Sequence, residues 1–154
     1  MATRTIITDE DPLLRKRSRE VIEIDDRIRE ICADMVETLH ATDNGIGLAA
    51  PQVGILKRIF VVDMYDDNGP IVFINPEIIE KKGKQRNQEG CLSVPGSWGE
   101  VERPARIKVR ARNPHGELFE MEASELLATC ICHENDHLDG VLFTDKVIGE
   151  LVTE

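Results

Sequence analysis

Aromatic side chains are scarce in this sequence: one tryptophan, one tyrosine and four phenylalanines in 154 residues. Aliphatic side chains must therefore supply most of the buried surface, and at 41% hydrophobic residues there are enough of them for a core. No apolar run approaches the roughly 20 residues that cross a bilayer, and the opening stretch from Met1 to Glu10 lacks the apolar segment of a signal peptide. A cytoplasmic protein with no membrane partner is expected. There is no Gly/Ser-rich or Pro-rich linker, no internal repeat and no low-complexity tract, so residues 1–154 are expected to form a single domain. Positive charge is also in deficit, with 19 Lys and Arg against 29 Asp and Glu and a formal net charge of -10. That balance argues against general nucleic-acid affinity, which needs a concentrated basic surface. Two short basic clusters, Arg15-Lys16-Arg17 and Lys81 to Arg86, read as solvated surface. Of the four cysteines, Cys32, Cys91, Cys130 and Cys132, a reducing compartment favours the thiol forms, which serve as core filler, ligand or nucleophile.

What is present has clear periodicity. After a short helical turn beyond Pro12, Asp25-Asp26 offers an N-cap, and Ile28, Ile31, Cys32, Met35, Val36 and Leu39 follow at the spacing of one buried helical stripe. Asn44-Gly45 is expected to close that helix. Strands are predicted at Ile59 to Met64, Ile71 to Ile79, Ile107 to Ala111 and Leu118 to Met121, separated by turn signals such as Asp67-Asn68-Gly69-Pro70. A five-residue loop between the last two would set Arg110 opposite Glu120 and Lys108 opposite Glu122, making the stripe Arg106, Lys108, Arg110 and Arg112 a salt-bridged outer face. His40 and His115, with no partner nearby in sequence, read as solvated. From Ala123 to Gly140 the pattern is helical again.

That last helix carries His133-Glu134-Asn135-Asp136-His137. Histidines four apart on a helix stand one above the other and can chelate one metal, while Glu134, about 100° further round, can reach a water beside it. The motif alone leaves a surface coincidence open. A third ligand is needed, and only seventeen residues follow His137, too few for the distant downstream glutamate of thermolysin-like peptidases. The metzincin pattern matches through Gly140, but Phe143 stands where its third histidine belongs. The search moves upstream, where Cys91, next to Gly90 on an expected strand edge, is the best candidate.

Three segments, Gly45-Ile46-Gly47-Leu48-Ala49-Ala50-Pro51-Gln52, Glu89-Gly90-Cys91-Leu92-Ser93 and His133-Glu134-Asn135-Asp136-His137-Leu138, together resemble the signature segments of peptide deformylases, in the family's order. The resemblance runs from the Asp-Pro-Leu-Leu region to Asp145. It implies removal of the N-formyl group from the initiator methionine of nascent polypeptides, with release of formate. It also implies one divalent metal on Cys91, His133 and His137, most often Fe(II), with zinc, nickel or cobalt accepted. Glu134 would move the proton, and the Gln52 amide and the Leu92 backbone N–H would stabilise the developing oxyanion. By the same analogy Ile46, Gly47 and Gly90 would offer backbone to the substrate as to an added strand. Ile46, Leu127 and Cys130 would line the methionine pocket; for Cys130 a plain core role is the alternative. Glu89 with Arg103 resembles a structural ion pair of the family.

Three features depart from the commonest pattern: Cys132 stands where a glutamine is usual, Asn135 where an apolar residue is usual, and no long basic helix follows Asp145. Transient proximity to the ribosome without a built-in dock is therefore expected, and the chain is separately expected to be a monomer. The rivals are a metallopeptidase or other amidase on the same centre, and a metal-stabilised relative without turnover; Glu134 and Gln52 speak against the last, since neither is needed merely to hold a metal. The fold most compatible with these readings is α+β, with antiparallel strands packed around a central C-terminal helix that carries the H-E-x-x-H motif.

Overall fold

The computed structural model describes residues 2–43 and 45–153. In chain order these form α1 (Asp26–His40), β1 (Gly47–Ala49), β2 (Ile59–Val62), β3 (Ile71–Lys82), β4 (Gln85–Cys91), β5 (Val94–Arg103), β6 (Arg106–Arg112), β7 (Leu118–Ser124), α2 (Glu125–Leu138) and β8 (Val147–Thr153). Short 3-10 turns lie at Pro12–Arg15, Ala50–Val53 and Phe143–Asp145.

The Asp25 carboxylate accepts from Ile28 N–H at 3.0 Å and starts α1. Its expected stripe is buried, Cys32 included, except for Val36, which is half-buried. The helix stops at His40, before the predicted boundary; Asn44 lies outside the described residues. Two antiparallel sheets follow, one of five strands in the order β1-β2-β3-β6-β7 and one of three in the order β4-β5-β8. Strand β2 reads Ile-Phe-Val-Val and is buried throughout because the sheet is covered on both sides. Ile59 and Val61 pack with Ile31, Met35 and Leu39 of α1, whereas Phe60 and Val62 pack with Ala128, Ile131 and Leu138 of α2. Helix α2 also contacts β5, so it lies central to both sheets, as the α+β reading expects.

The β6–β7 hairpin has the predicted register, with Arg110 opposite Glu120, Lys108 opposite Glu122, Val109 opposite Met121 and Ala111 opposite Phe119. Its charged face is less paired than expected. Arg110 Nη2 lies 2.6 Å from Glu120 Oε2, while Arg112 donates to Gly116 O, and among the described contacts Lys108 and Glu122 form no ion pair. His115 is exposed as expected, but His40 is not a lone solvated side chain: its Nε2 lies 2.7 Å from Asp63 Oδ2.

The three-stranded sheet is the part that periodicity leaves out. Strand β4, Gln85–Cys91, buries only Glu89, and β8 is mostly exposed. Both exist through pairing to β5, from Gln85 opposite Arg103 to Cys91 opposite Val94, and from Ser97 opposite Thr153 to Val101 opposite Val147. This sheet carries Cys91 to the flank of α2.

Candidate metal centre and cleft

Nine residues of α2 are buried, among them His133, Glu134 and His137, although all three are polar. Ser124 stands at the N-cap, and Gly140, at φ 76°, lets the chain leave just beyond the last turn, where an added Cβ would lie 2.4 Å from Arg15 O. Arg58 Nη1 donates to Leu138 O at 3.0 Å, so a cation seals the helix's negative end. The helix, sealed at its C-terminal end, points its two histidines at the end of β4.

Cys91 Sγ lies 3.3 Å from His137 Nε2, and the donor atoms of Cys91, His133 and His137 fall within 4.8 Å of one another. Metal bonds of about 2.3 Å to sulfur and about 2.0–2.1 Å to nitrogen require donors clustered on that scale. His133 turns its Nδ1 to Glu89 Oε1 at 2.9 Å, leaving Nε2 for the metal side. His137 Nδ1 is buried and has no partner among the described atoms. A borderline metal fits one thiolate and two imidazoles better than a hard cation does. The triad expected from spacing and resemblance is thus assembled from β4 and α2.

Charge around the triad is arranged to hold the histidines. Burial disfavours charge on His133, yet the Cys91 sulfur, the Glu89 carboxylate and the nearby Glu134 hold its pKa well above the ordinary value, giving a site that attracts positive charge. Burial and the neighbouring His133 push His137 well below its ordinary value, so it is a neutral imidazole, the form that ligates. Burial lifts Glu134 to about 7, against which His133 acts. That places a proton acceptor near neutrality, and a divalent cation alongside would draw it down.

Behind His133 sits a relay of ions. Arg103 holds Glu89 with two hydrogen bonds of 2.9 Å and reaches Asp136 Oδ2 at 2.6 Å, and Lys146 Nζ lies 3.1 Å from the same oxygen. The pair expected from Glu89 and Arg103 is therefore a four-membered network. Burial alone would raise the Glu89 pKa, but hydrogen bonds from Arg103 and then His133, with their charges, lower it from 4.5 to about 2. A depressed carboxylate contributes stability that is complete above pH 4.5 and is lost as the pH falls toward about 2. Removing the cation instead, in Arg103→Ala, leaves Glu89 buried with only its His133 contact and is expected to destabilise by about 3–5 kcal/mol. Urea unfolding at pH 7 checks the second, and its midpoint followed from pH 6 to pH 2 checks the first.

The triad opens on a cleft of about 490 Å³. Gly45, Ile46 and Gly47 form one wall, Gly90, Cys91 and Leu92 the other, and α2 closes it with Leu126, Thr129, Cys130 and Glu134. Cys130 thus lines the cleft and is core as well, its thiol pushed up by burial. Leu127 does not line it. One residue is about 100° of helix rotation, which turns Leu127 into the sheet core and leaves Leu126, half exposed, as the cleft residue. Trp98, the single tryptophan, also reaches the rim: its indole lies about 3.5 Å from where a Cβ on Gly90 would stand. Sequence reasoning missed it because β5 was not predicted.

Gln52 is buried at the triad's edge with its amide orientation set. Oε1 accepts from Ala49 N–H at 2.9 Å, and Nε2 faces Ser93 Oγ at 3.0 Å and Cys91 Sγ at 3.6 Å. An amide nitrogen has two hydrogens, so one is directed at Ser93 Oγ and the other, at the longer distance, toward the Cys91 sulfur. Glycine at 47 is a packing requirement, because a Cβ there would lie 2.5 Å from Glu134 Oε2 and 2.9 Å from Cys130 Sγ. Ile46 O already accepts from Asp63 N–H at 2.8 Å, so this segment is tied to β2 on one side while presenting the cleft on the other.

Known proteins share this fold. The profile of the family described as Polypeptide deformylase matches residues 3–151. The peptide deformylase of Alkaliphilus metalliredigens is 57% identical over 150 residues, covering 97% of this chain and 100% of its own. That of Acetivibrio thermocellus is 57% identical over 148 residues, covering 96% and 85%. Among solved structures, the peptide deformylase of Thermotoga maritima superposes with a TM-score of 0.91 at 43% identity, covering 96% of this chain and 99% of that one. The Legionella pneumophila structure gives 0.90 at 39%, covering 95% and 86%. With its profile match, its fold and its Cys-His-His centre in agreement, this chain belongs to the polypeptide deformylase family.

Proposed function

We propose that Cys91, His133 and His137 hold one divalent metal and that Glu134, Gln52 and the Leu92 backbone N–H work beside it in this chain's reaction, removal of the N-formyl group from formyl-methionyl nascent peptides. The observation that carries the assignment is the convergence of a three-donor cluster and a buried carboxylate in a cleft between two sheet edges. Strands β1 and β4 each end their sheet, so each has one unpaired side that an extended peptide can join. Ile46, Gly47 and Gly90 are the backbone contacts in this reading, and Ile46, Cys130 and Leu126 the walls around the methionine side chain, with Leu126 in place of the expected Leu127.

When bound, the metal supplies Lewis acidity, which acidifies water and polarises the formyl oxygen. Glu134 accepts a proton from the attacking water and passes it to the departing amine. Burial favours its protonated form between the two transfers. Gln52, held by Ala49 N–H, directs an N–H at the oxygen that becomes negative, and Leu92 N–H acts with it. Formate and a free N-terminal methionine are the products. Family membership favours this chemistry over a metallopeptidase or a relative without turnover.

Fe(II) is the metal we assign, with zinc, nickel and cobalt also compatible with the donors; oxygen sensitivity follows if iron is the native ion. Asn135 Oδ1 is buried without a partner, on the helix that aims both histidines. We further propose a single catalytic domain, a monomer that meets nascent chains in the cytoplasm near the ribosome without binding nucleic acid or membrane directly. No described helix is long and apolar enough to cross a membrane.

The direct test is formate release from formyl-Met-Ala-Ser by protein purified anaerobically, with its metal assayed. Formate and Met-Ala-Ser in equal amounts support the reading. Cleavage of internal peptide bonds with the formyl group left intact would overturn it.

A further inference from the structure

Tyr65 is the only tyrosine in the chain, and it is placed at odds with its type. Its side chain is 59% exposed, so burial does not explain its position, and its backbone stands at φ 57°, a left-handed conformation that a bulky residue adopts only under strain. Asp63 holds it there: Oδ1 accepts Tyr65 N–H at 2.7 Å, and Oδ2 pairs with His40 Nε2 at 2.7 Å. Asp63 is itself buried, and its own N–H donates to Ile46 O at 2.8 Å.

The result of this arrangement is that the Tyr65 hydroxyl donates to Gly45 O at 2.9 Å. From the other side, Gly45 N–H donates to Thr42 Oγ1 at 3.0 Å. Both polar backbone groups of Gly45 are thus held by side chains, at a position lining the cleft where a Cβ would strike Thr42 Oγ1 at 2.4 Å. Glycine has the most backbone freedom to lose, and the segment from Gly45 to Gly47 carries two of them. An edge that must pair with a peptide binds better when it is already ordered, since the peptide then does not have to offset that entropy.

We propose that Tyr65 is a positioning residue for the reaction: its hydroxyl fixes the Gly45 carbonyl and so holds the Ile46–Gly47 edge in the form that pairs with a formylated peptide. Asp63 and His40 serve it by holding Tyr65 in its strained turn. The inference rests on the deformylase reading.

Tyr65→Phe removes the hydroxyl and keeps the ring. It is expected to raise KM for formyl-Met-Ala-Ser about fivefold, the worth of one neutral hydrogen bond, with the loss falling on KM rather than kcat. Formyl-methionine amide, which has almost no chain to pair with the edge, is expected to show a change of less than about twofold in kcat/KM. A thermal midpoint matching the parent protein supports the role. An unchanged KM for the longer substrate, or equal losses on both substrates with a lowered midpoint, overturns it. If the parent protein releases formate from neither substrate, the deformylase reading fails and this inference with it, whereas an active parent and an indifferent variant sink the Tyr65 role alone.

Discussion

Glu134→Ala is expected to retain its metal and to lose at least about a hundredfold in formate release from formyl-Met-Ala-Ser, the usual minimum for removal of a general acid/base group. Glu134 is a neighbour of the triad rather than a member of it, so elemental analysis of the purified variant is expected to match the parent protein. The loss should fall on kcat, because the proton transfer is made on the way to the transition state and not in the substrate complex. Folding should survive as well. The Glu134 carboxylate is buried, with Oε1 lacking a partner, so replacing it with a methyl group relieves a desolvation penalty instead of breaking a hydrogen bond. A variant with full activity would sink the mechanism. One that has lost the metal would reassign Glu134 to the ligand sphere.

Much of this site was legible because its central signal is local. Two histidines four residues apart on a helix need no tertiary information to be placed on one face, and the register of β6 and β7 follows from the loop between them. Helix α1 was legible for the same reason, its stripe being uninterrupted from Ile28 to Leu39. The elimination of downstream ligands needed only chain length and the identity of Phe143, and the three signature segments supplied the rest.

What the sequence hid depends on partners far away in the chain. Strand β4 has the sequence Gln-Arg-Asn-Gln-Glu-Gly-Cys, with neither alternation nor β-branched residues, and it is a strand because β5 supplies its hydrogen bonds. With β5 unseen, Trp98 had no place, and the cleft lacked its rim. The choice of Leu127 over Leu126 shows a finer limit: both leucines fit an apolar helix face, and only the packed position of α2 against the sheet decides which one turns inward. His40 and Asp63 are likewise 23 residues apart, across a helix end and a strand end, so neither announces the other. The network behind His133 was half visible, since Glu89 and Arg103 were anticipated, while Asp136 and Lys146 join it only because α2 and the segment after it converge there.

Cys91→Ala is expected to lower metal content itself, and activity with it, by a route different from that of Glu134. Two imidazoles on α2 remain, but a two-ligand chelate lacks the thiolate that neutralises the ion and is the donor that selects borderline metals over hard ones. The sulfur also organises its surroundings: Ser93 N–H points to it at 3.4 Å, Gln52 Nε2 at 3.6 Å and His137 Nε2 at 3.3 Å. Removing it frees Gln52 from one of its guides and leaves the His137 side chain, whose Nδ1 already lacks a partner, without its described hydrogen-bond contact. Part of the protein's stability should go too, because a metal bound to the native state alone stabilises it by mass action. Three measurements follow one preparation: metal per chain falls well below that of the parent protein, the thermal midpoint falls toward that of the chelator-treated parent, and added metal fails to restore formate release at concentrations that restore the parent. A Cys91→Ala protein carrying a full complement of metal would remove Cys91 from the ligand set and leave the two histidines in search of a third donor.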